Sequence, residues 1–394
     1  MTQFDYVVIG NGLIGSAAGR YLSTTSKRVA LIGPDEPSNW VSHQGVFASH
    51  YDQGRITRIL DEDIVWALLA KRSIAEYRFI EQESGINFHH PVGGLQVAPV
   101  ETDFVQMVED VGIKTGATFE TLTNSTLQTT TTGYQFPTGT EGVLETGGAG
   151  HIHPRSLVKA QLTVAQKQGA TIIRETVQNL AFKKNQVEIQ TDAGHTFRTQ
   201  KVLLAAGAFV NHLLPRPLAI TPRGISIFLG EVAEADMPRL SRLPSLIYKL
   251  PTYDQIQSIY MIGATQYPDG KHYLKIGGSR QPYHNIPTFE AQQDWFHGPG
   301  DVEGGQELRQ ILMDVIPNLN LLSGYTKPCV TTYTESGHPF IDTLEPDHIY
   351  VVAAGNGAAA KSSNEIGRVA AMLVEKGEWA YDLSADIFKA QYEI

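Results

Sequence analysis

Residues 5–22 read DYVVIGNGLIGSAAGRYL, and no other stretch limits the fold of this chain so tightly. An apolar run of strand character at 6–9 meets Gly10, Gly12 and Gly15 in a G-x-G-x-x-G turn, and residues 13–22 continue as a helix-forming segment. Each glycine has a separate task. The first permits the tight turn, the second lets backbone amides approach a pyrophosphate, and the third lets the helix pack closely on the strand. The helix N-terminus at Leu13 and Ile14 favours an anion in front of it. With a second strand at 29–32, the segment predicts a parallel β-α-β start and a dinucleotide lying on it. A carboxylate for the ribose is usual at the end of that second strand. Here the place holds Gly33, so the expectation moves to Asp35 or Glu36, just beyond Pro34. The turn alone does not choose between a nicotinamide and a flavin.

At 394 residues the chain exceeds the roughly 250–300 at which single cores stop growing, so two domains are expected. Apolar residues make up 42%, with 16 Tyr and 15 Phe, enough for packed interiors. The formal charge of −10 and the absence of a Lys/Arg run exclude a nucleic-acid binder from the expectation. Gly10 and Gly12 interrupt the apolar stretch at 6–14, and no basic segment precedes it, so neither a signal peptide nor a membrane span is expected. Cys329 is the only thiol, which rules out an internal disulfide and makes a reducing cytoplasm the expected compartment.

Helix is expected over about 61–83 and from Pro154 to just before Gly169. The Thr-rich run at 121–136 alternates as strand and hairpin do, strand signals dominate 217–322, and 348–377 reads as a last strand, Gly-rich turn and helix. Pieces of nucleotide-binding fold therefore alternate with β-rich pieces. The expected class is α/β: a discontinuous Rossmann-like domain of residues 1–90, 146–216 and 325–394, with a β-rich substrate domain of 91–145 and 217–324 inserted into it.

Four further stretches carry chemistry: GRITRIL at 54–60, HYLKIGG at 272–278, PCVTTYTESGHPFID at 328–342 and AAGNGAAAKSSNEIG at 353–367. Read alone, Arg55 and Arg58 are either a guanidinium pair that grips a carboxylate or two surface arginines. Lys275 reads as a solvated residue of an alternating strand, and Cys329 as a small buried hydrophobe. Gly355 and Gly357 allow backbone to approach a ligand, with a helix from about Ser363 behind them. In order and spacing the four, with the glycine turn, resemble the monomeric sarcosine oxidase family of flavin amine oxidases. That resemblance implies FAD as cofactor, Arg55 against the flavin, and Arg58 with Lys361 on the substrate carboxylate. It also implies Lys275 as the cation that promotes reaction with molecular oxygen, a covalent flavin link at Cys329, and cofactor contacts at Ser42, Val177 and Gly207. The loop from Gly355 to Lys361 is one residue shorter than the family pattern. Thr331 and Ser279 stand where the family has Tyr and His, which implies a substrate bulkier than sarcosine.

The implied reaction is oxidation of the C–N bond of a secondary amine or N-substituted amino acid to an imine, with hydrogen peroxide as product. A flavin dehydrogenase using another electron acceptor and a non-catalytic flavin-binding subunit share the same motifs. No residue reads as the general base. His89, His90, His151 and His153 lack Cys or carboxylate partners at metal-ligand spacing and are expected to be structural, so no metal is expected.

Overall fold

The computed structural model describes residues 2–40, 42–183, 185–251 and 255–393; the side chains of Thr2 and Ser279 lie outside the description. Within these residues an eight-stranded sheet carries the glycine turn. Its strand Thr2–Ile9 lies between two parallel partners, Val29–Ile32 and Thr196–Leu204. Thr171–Ile173 extends the first side in parallel, and Gln186–Thr191 and Val177–Lys183 extend the second antiparallel. Ile349–Ala353 joins Thr196–Leu204 in parallel. Val29–Ile32 is buried throughout, as a parallel strand covered on both faces must be, which is why it reads VALI without alternation.

The helices Leu13–Thr25 and Ala359–Lys376 cross with their backbones touching. A Cβ on Gly367 would lie 2.6 Å from Ala17 Cβ and 2.8 Å from Ile14 O. The long helix Ile64–Ser84 starts where Asp63 accepts from the amides of Val65 and Trp66 and ends at Gly85, whose φ is +74°.

A nine-stranded sheet forms the other large layer. Its long strand Thr221–Val232 pairs antiparallel with Ser323–Tyr333 and with His272–Arg280, and the sheet continues through Ile256–Gln266, Ser245–Lys249, Gly94–Pro99, Thr140–Glu145 and Phe119–Leu122. A small sheet of Arg55–Thr57, Gly150–Ile152 and His89–His90 makes the third.

Four expectations change here. In the Thr-rich run only the first residues are strand; Asn124–Thr130 is helix, because Thr123 caps it and Leu127 alone of its seven residues needs burial. The stretch expected to be strand-rich also holds the helices Phe289–His297 and Val302–Val315; the second buries Leu308, Ile311, Leu312 and Val315 against Phe228 and Leu274. The last helix begins at Ala359 rather than Ser363. Finally, Ser323–Tyr333 belongs to the nine-stranded sheet, so a division of the chain by sheet falls after Tyr333 and not at 325.

Candidate active site

The strand ends of both large sheets enclose a cavity of about 1030 Å³, at the upper end of ordinary ligand sites. At its nucleotide end lie Gly10, Gly12, Leu13 and Ile14, with Val177 and Gly207 on the walls. Gly10 has φ +111°, and a Cβ there would sit 2.3 Å from Ala205 O. Gly15, one layer behind the wall, could not hold a Cβ either, since it would fall 1.8 Å from Gly10 O. Gly12 is different: nothing of the protein lies nearer to its missing Cβ than His50 Nδ1 at 3.8 Å. The space beside Gly12 is therefore open, and the helix behind it has no side-chain cap, so its first amides face the cavity free for an anion.

The ribose carboxylate expected from the sequence is not delivered. Asp35 does not line the cavity; its side chain is 66% exposed and pairs with Arg174. Glu36 is held bidentately by Arg155 at 2.6 Å. Ser42 is exposed and away from the wall. The missing contact has a local cause, because the place where a side chain at 33 would project is filled by Asn11. That amide donates to Gly33 O at 2.9 Å, and its buried Oδ1 has no partner among the described residues. Sequence reasoning passed over Asn11 as a spacer of the glycine motif. A buried acceptor without a donor at this point, with the open helix terminus, fits the ribose and pyrophosphate of FAD.

At the other end Arg55, Cys329 and Thr331 line the cavity, as do Gly355 and Gly357. Arg55 Nη2 stands 3.8 Å from Cys329 Sγ and 2.8 Å from Ser49 O. Its other nitrogen is bound to Asp52, a residue the sequence gave no reason to select. Asp52 is buried; it also accepts from Tyr267 Oη at 2.9 Å and from Lys275 Nζ at 2.5 Å. Lys275 is thus not solvated: it is 2% exposed, donates to Gly54 O as well, and lies 5.4 Å from the Tyr260 ring. Burial, reinforced by the Arg55 charge, pulls its ammonium well below the ordinary lysine range, and Asp52 is the counter-ion that favours the charged form. Thr331 Oγ1, in the cavity wall, is buried without a partner among the described residues, as is Asn11 Oδ1. The side chain of Ser279 lies outside the described residues.

Arg58 and Lys361 do meet, despite the shortened loop, but on a carboxylate of the protein. Arg58 Nη1 and Lys361 Nζ each lie 2.8 Å from Asp61 Oδ2. The loop is set by Asn356, which accepts from the Thr334 amide, and by the Gly355 amide on Thr332 Oγ1. Against the upward push of burial, the Lys361 and Arg58 charges hold Asp61 well below the usual carboxylate range. Glu145, raised by burial, stands beside the group and accepts the amides of Ile59 and Leu60.

A family model described as FAD dependent oxidoreductase matches residues 5–373. N-methyl-L-tryptophan oxidase of Yersinia pestis (strain Pestoides F) is 25% identical over 387 residues, covering 97% of this chain and 98% of the relative. Among solved structures, NikD, described as an unusual amino acid oxidase essential for nikkomycin biosynthesis, matches in its open form with a TM-score of 0.78 and 21% identity over 100% of this chain and 99% of NikD. Glycine oxidase from Geobacillus kaustophilus matches with a TM-score of 0.73 and 18% identity over 100% of both chains. No helix among the described residues is long and apolar enough to cross a membrane.

Proposed function

Because the chain belongs to the family of FAD dependent oxidoreductases and is an enzyme of the amine and amino-acid oxidase type, we propose that it oxidises an N-substituted amino acid larger than sarcosine. Bound FAD would supply the chemistry of C–N oxidation, an acceptor for the hydride on the carbon next to the amine nitrogen, with oxygen as the final oxidant and hydrogen peroxide as its product. The residues that would hold it are Gly10, Gly12, Leu13 and Ile14 at the pyrophosphate, Asn11 at the ribose, Val177 and Gly207 along the walls, Arg55, Gly355 and Gly357 at the ring, and Cys329 through a thioether. The observation that supports the reading is that Arg55 and Cys329 line the same cavity as the glycine turn, with Asp52 and Lys275 buried directly behind Arg55.

Lys275 supplies a fixed positive charge in a dry place, as reduction of oxygen demands, and Asp52 keeps it and Arg55 in position. Arg58 and Lys361 orient the substrate through its carboxylate, which competes with Asp61 for them. Thr331 leaves width where a ring would stand and keeps a hydroxyl unspent for a polar group of the substrate. The large side chain named in N-methyl-L-tryptophan oxidase is the kind such width accommodates.

Peroxide release from the purified protein over sarcosine, N-methyltryptophan, proline, pipecolate and sugar-conjugated amino acids tests the reading. Turnover is expected to favour the larger carboxylated amines, and faster turnover of sarcosine than of all of these would overturn the pocket argument. An amine that bleaches the flavin without air yet gives no peroxide in air would replace the oxidase by a dehydrogenase. Acid precipitation of the wild type should leave the yellow colour in the pellet, and Cys329→Ser should release it; colour wholly in the supernatant from the wild type sinks the tether.

A further inference from the structure

The two histidine pairs that the sequence reading set aside come together in the fold. His151, on the strand Gly150–Ile152, lies directly opposite His90, and cross-strand partners put their side chains on one face with Cβ atoms about 5 Å apart. His153 follows two residues later with its backbone still extended, φ −87° and ψ 104°, so its ring returns to the same face. The ring centroids of His90 and His151 are 4.9 Å apart, and those of His90 and His153 are 4.2 Å apart. The backbone is built for this approach. Gly150 has φ +151°, and a Cβ there would sit 2.1 Å from His90 O.

Hydrogen bonding does not account for the cluster. Buried Nδ1 of His151 and Nε2 of His153 have no partner among the described residues, and the helix beginning at Pro154 takes no capping bond from the His153 ring. Each ring offers a nitrogen within 4.8 Å of the other two. Glu81, the acid whose charge reaches His90, already spends Oε1 on the amides of Phe88 and His89. An imidazole ring in its neutral form carries one lone pair open to a ligand.

We infer that His90, His151 and His153 bind a late first-row transition-metal dication, with Zn²⁺ the reference ion. Zinc holds imidazole nitrogens at 2.0–2.1 Å, which sets them about 3.3 Å apart in a tetrahedron, so rings whose nitrogens now lie within 4.8 Å of one another would have to draw together on binding. Three imidazoles and no carboxylate select such ions over Mg²⁺ and Ca²⁺, which take oxygen ligands. His90 and His153 are only half-buried, so the fourth position opens to solvent, where water completes the shell. Ile56 pairs with His151 on the other side, and so the ion would fasten strands behind the one that carries Arg55 to the cavity. Its effect is on stability and not on the oxidation chemistry.

The test uses the flavin-containing protein after chelator treatment and dialysis, titrated calorimetrically with zinc chloride while thermal melting is followed in parallel. One ion per chain at micromolar or tighter affinity and a Tm higher by a few degrees are expected. His90→Phe keeps a ring in the stack and removes the nitrogens; His151→Ala removes the buried ligand. Each should weaken binding at least tenfold and abolish the Tm gain, with an unchanged flavin absorbance band showing that the fold is kept. Magnesium chloride should give neither signal. Absence of stoichiometric zinc binding, or binding and a Tm gain that survive in His90→Phe, overturns the assignment.

Discussion

Asp52 and Asp61 each fasten two cations, and each does so across the chain: Lys275 is 223 residues from Asp52, and Lys361 is 300 from Asp61. Neither acid was legible in the sequence, because a carboxylate has no periodic or motif signal until the fold supplies its partners. The cations were legible only through their family motifs; Lys275 in an alternating strand looks solvated, and its burial is a tertiary fact. Lys275→Met should slow reoxidation by oxygen about 100-fold or more while leaving anaerobic reduction by substrate nearly unchanged, a split that stopped-flow absorbance separates. Asp52→Asn strips both Lys275 and Arg55 of their buried counter-ion. Removing one member of such a group costs about 3–5 kcal/mol, so a large fall in Tm is expected, and a fall of only a degree or two would show that the cations do not depend on it. Asp61→Asn removes the carboxylate that, on the proposed function, competes with substrate for Arg58 and Lys361. The KM for a carboxylated amine should drop about tenfold, equal to ~1.4 kcal/mol, with kcat little changed. A rise in KM would mean instead that Asp61 is what keeps the two cations aimed.

Helix signals survived the passage from sequence to fold where they were periodic or capped. Asp63 and Gly85 bound the long helix within a few residues of expectation. The helix Val302–Val315 went unread because its apolar residues cluster in the second half, after the glycine pair Gly304 and Gly305, amid strand-like neighbours. Contact between elements is less legible still. Gly367 looks like one more small residue in a helix, yet it is the point where that helix meets Ile14 and Ala17 of the turn helix. In an open helix Gly→Ala gains up to ~1 kcal/mol of propensity. Here the added Cβ has no room, and overpacking of ~1–3 kcal/mol reverses the sign. Gly367→Ala should therefore lower both Tm and the flavin content of freshly purified protein, because the displaced helix carries the anion-binding terminus. An unchanged flavin-to-protein ratio would show that the crossing yields.

At the scale of the molecule, the alternation of nucleotide-binding and β-rich segments follows from the sequence, since parallel apolar strands and alternating antiparallel ones look different. The affiliation of Ser323–Tyr333 does not, because an edge pairing with Thr221–Val232 leaves no local mark. That strand also carries the half-buried Lys327, 4.5 Å from the Trp40 ring centroid and bonded to Tyr51 O. Burial, with the Arg155 charge second, pushes Lys327 down to about 8, against about 10.4 in an unfolded chain. Between those values the unfolded state binds more protons at this group, so its contribution to stability rises with pH; below about 8 the cost of the buried charge is fully present. Lys327→Met should then melt higher than the wild type at pH 7, and the gap should narrow toward pH 10. A gap that does not change with pH would show that Lys327 keeps its proton throughout.

Cys329 lies on that same strand of the nine-stranded sheet, whereas the glycine turn lies on the eight-stranded one. With the sulfur bond in place, the nucleotide half of the cofactor is no longer a free ligand. It rebinds from a tether, at an effective concentration in the millimolar range, whatever its intrinsic affinity. Selection for a strong ribose contact is then relaxed, and a position that would otherwise demand an acid can drift to glycine. On the proposed tether, Gly33 with Asn11 folded over it is the arrangement that such relaxed selection would permit.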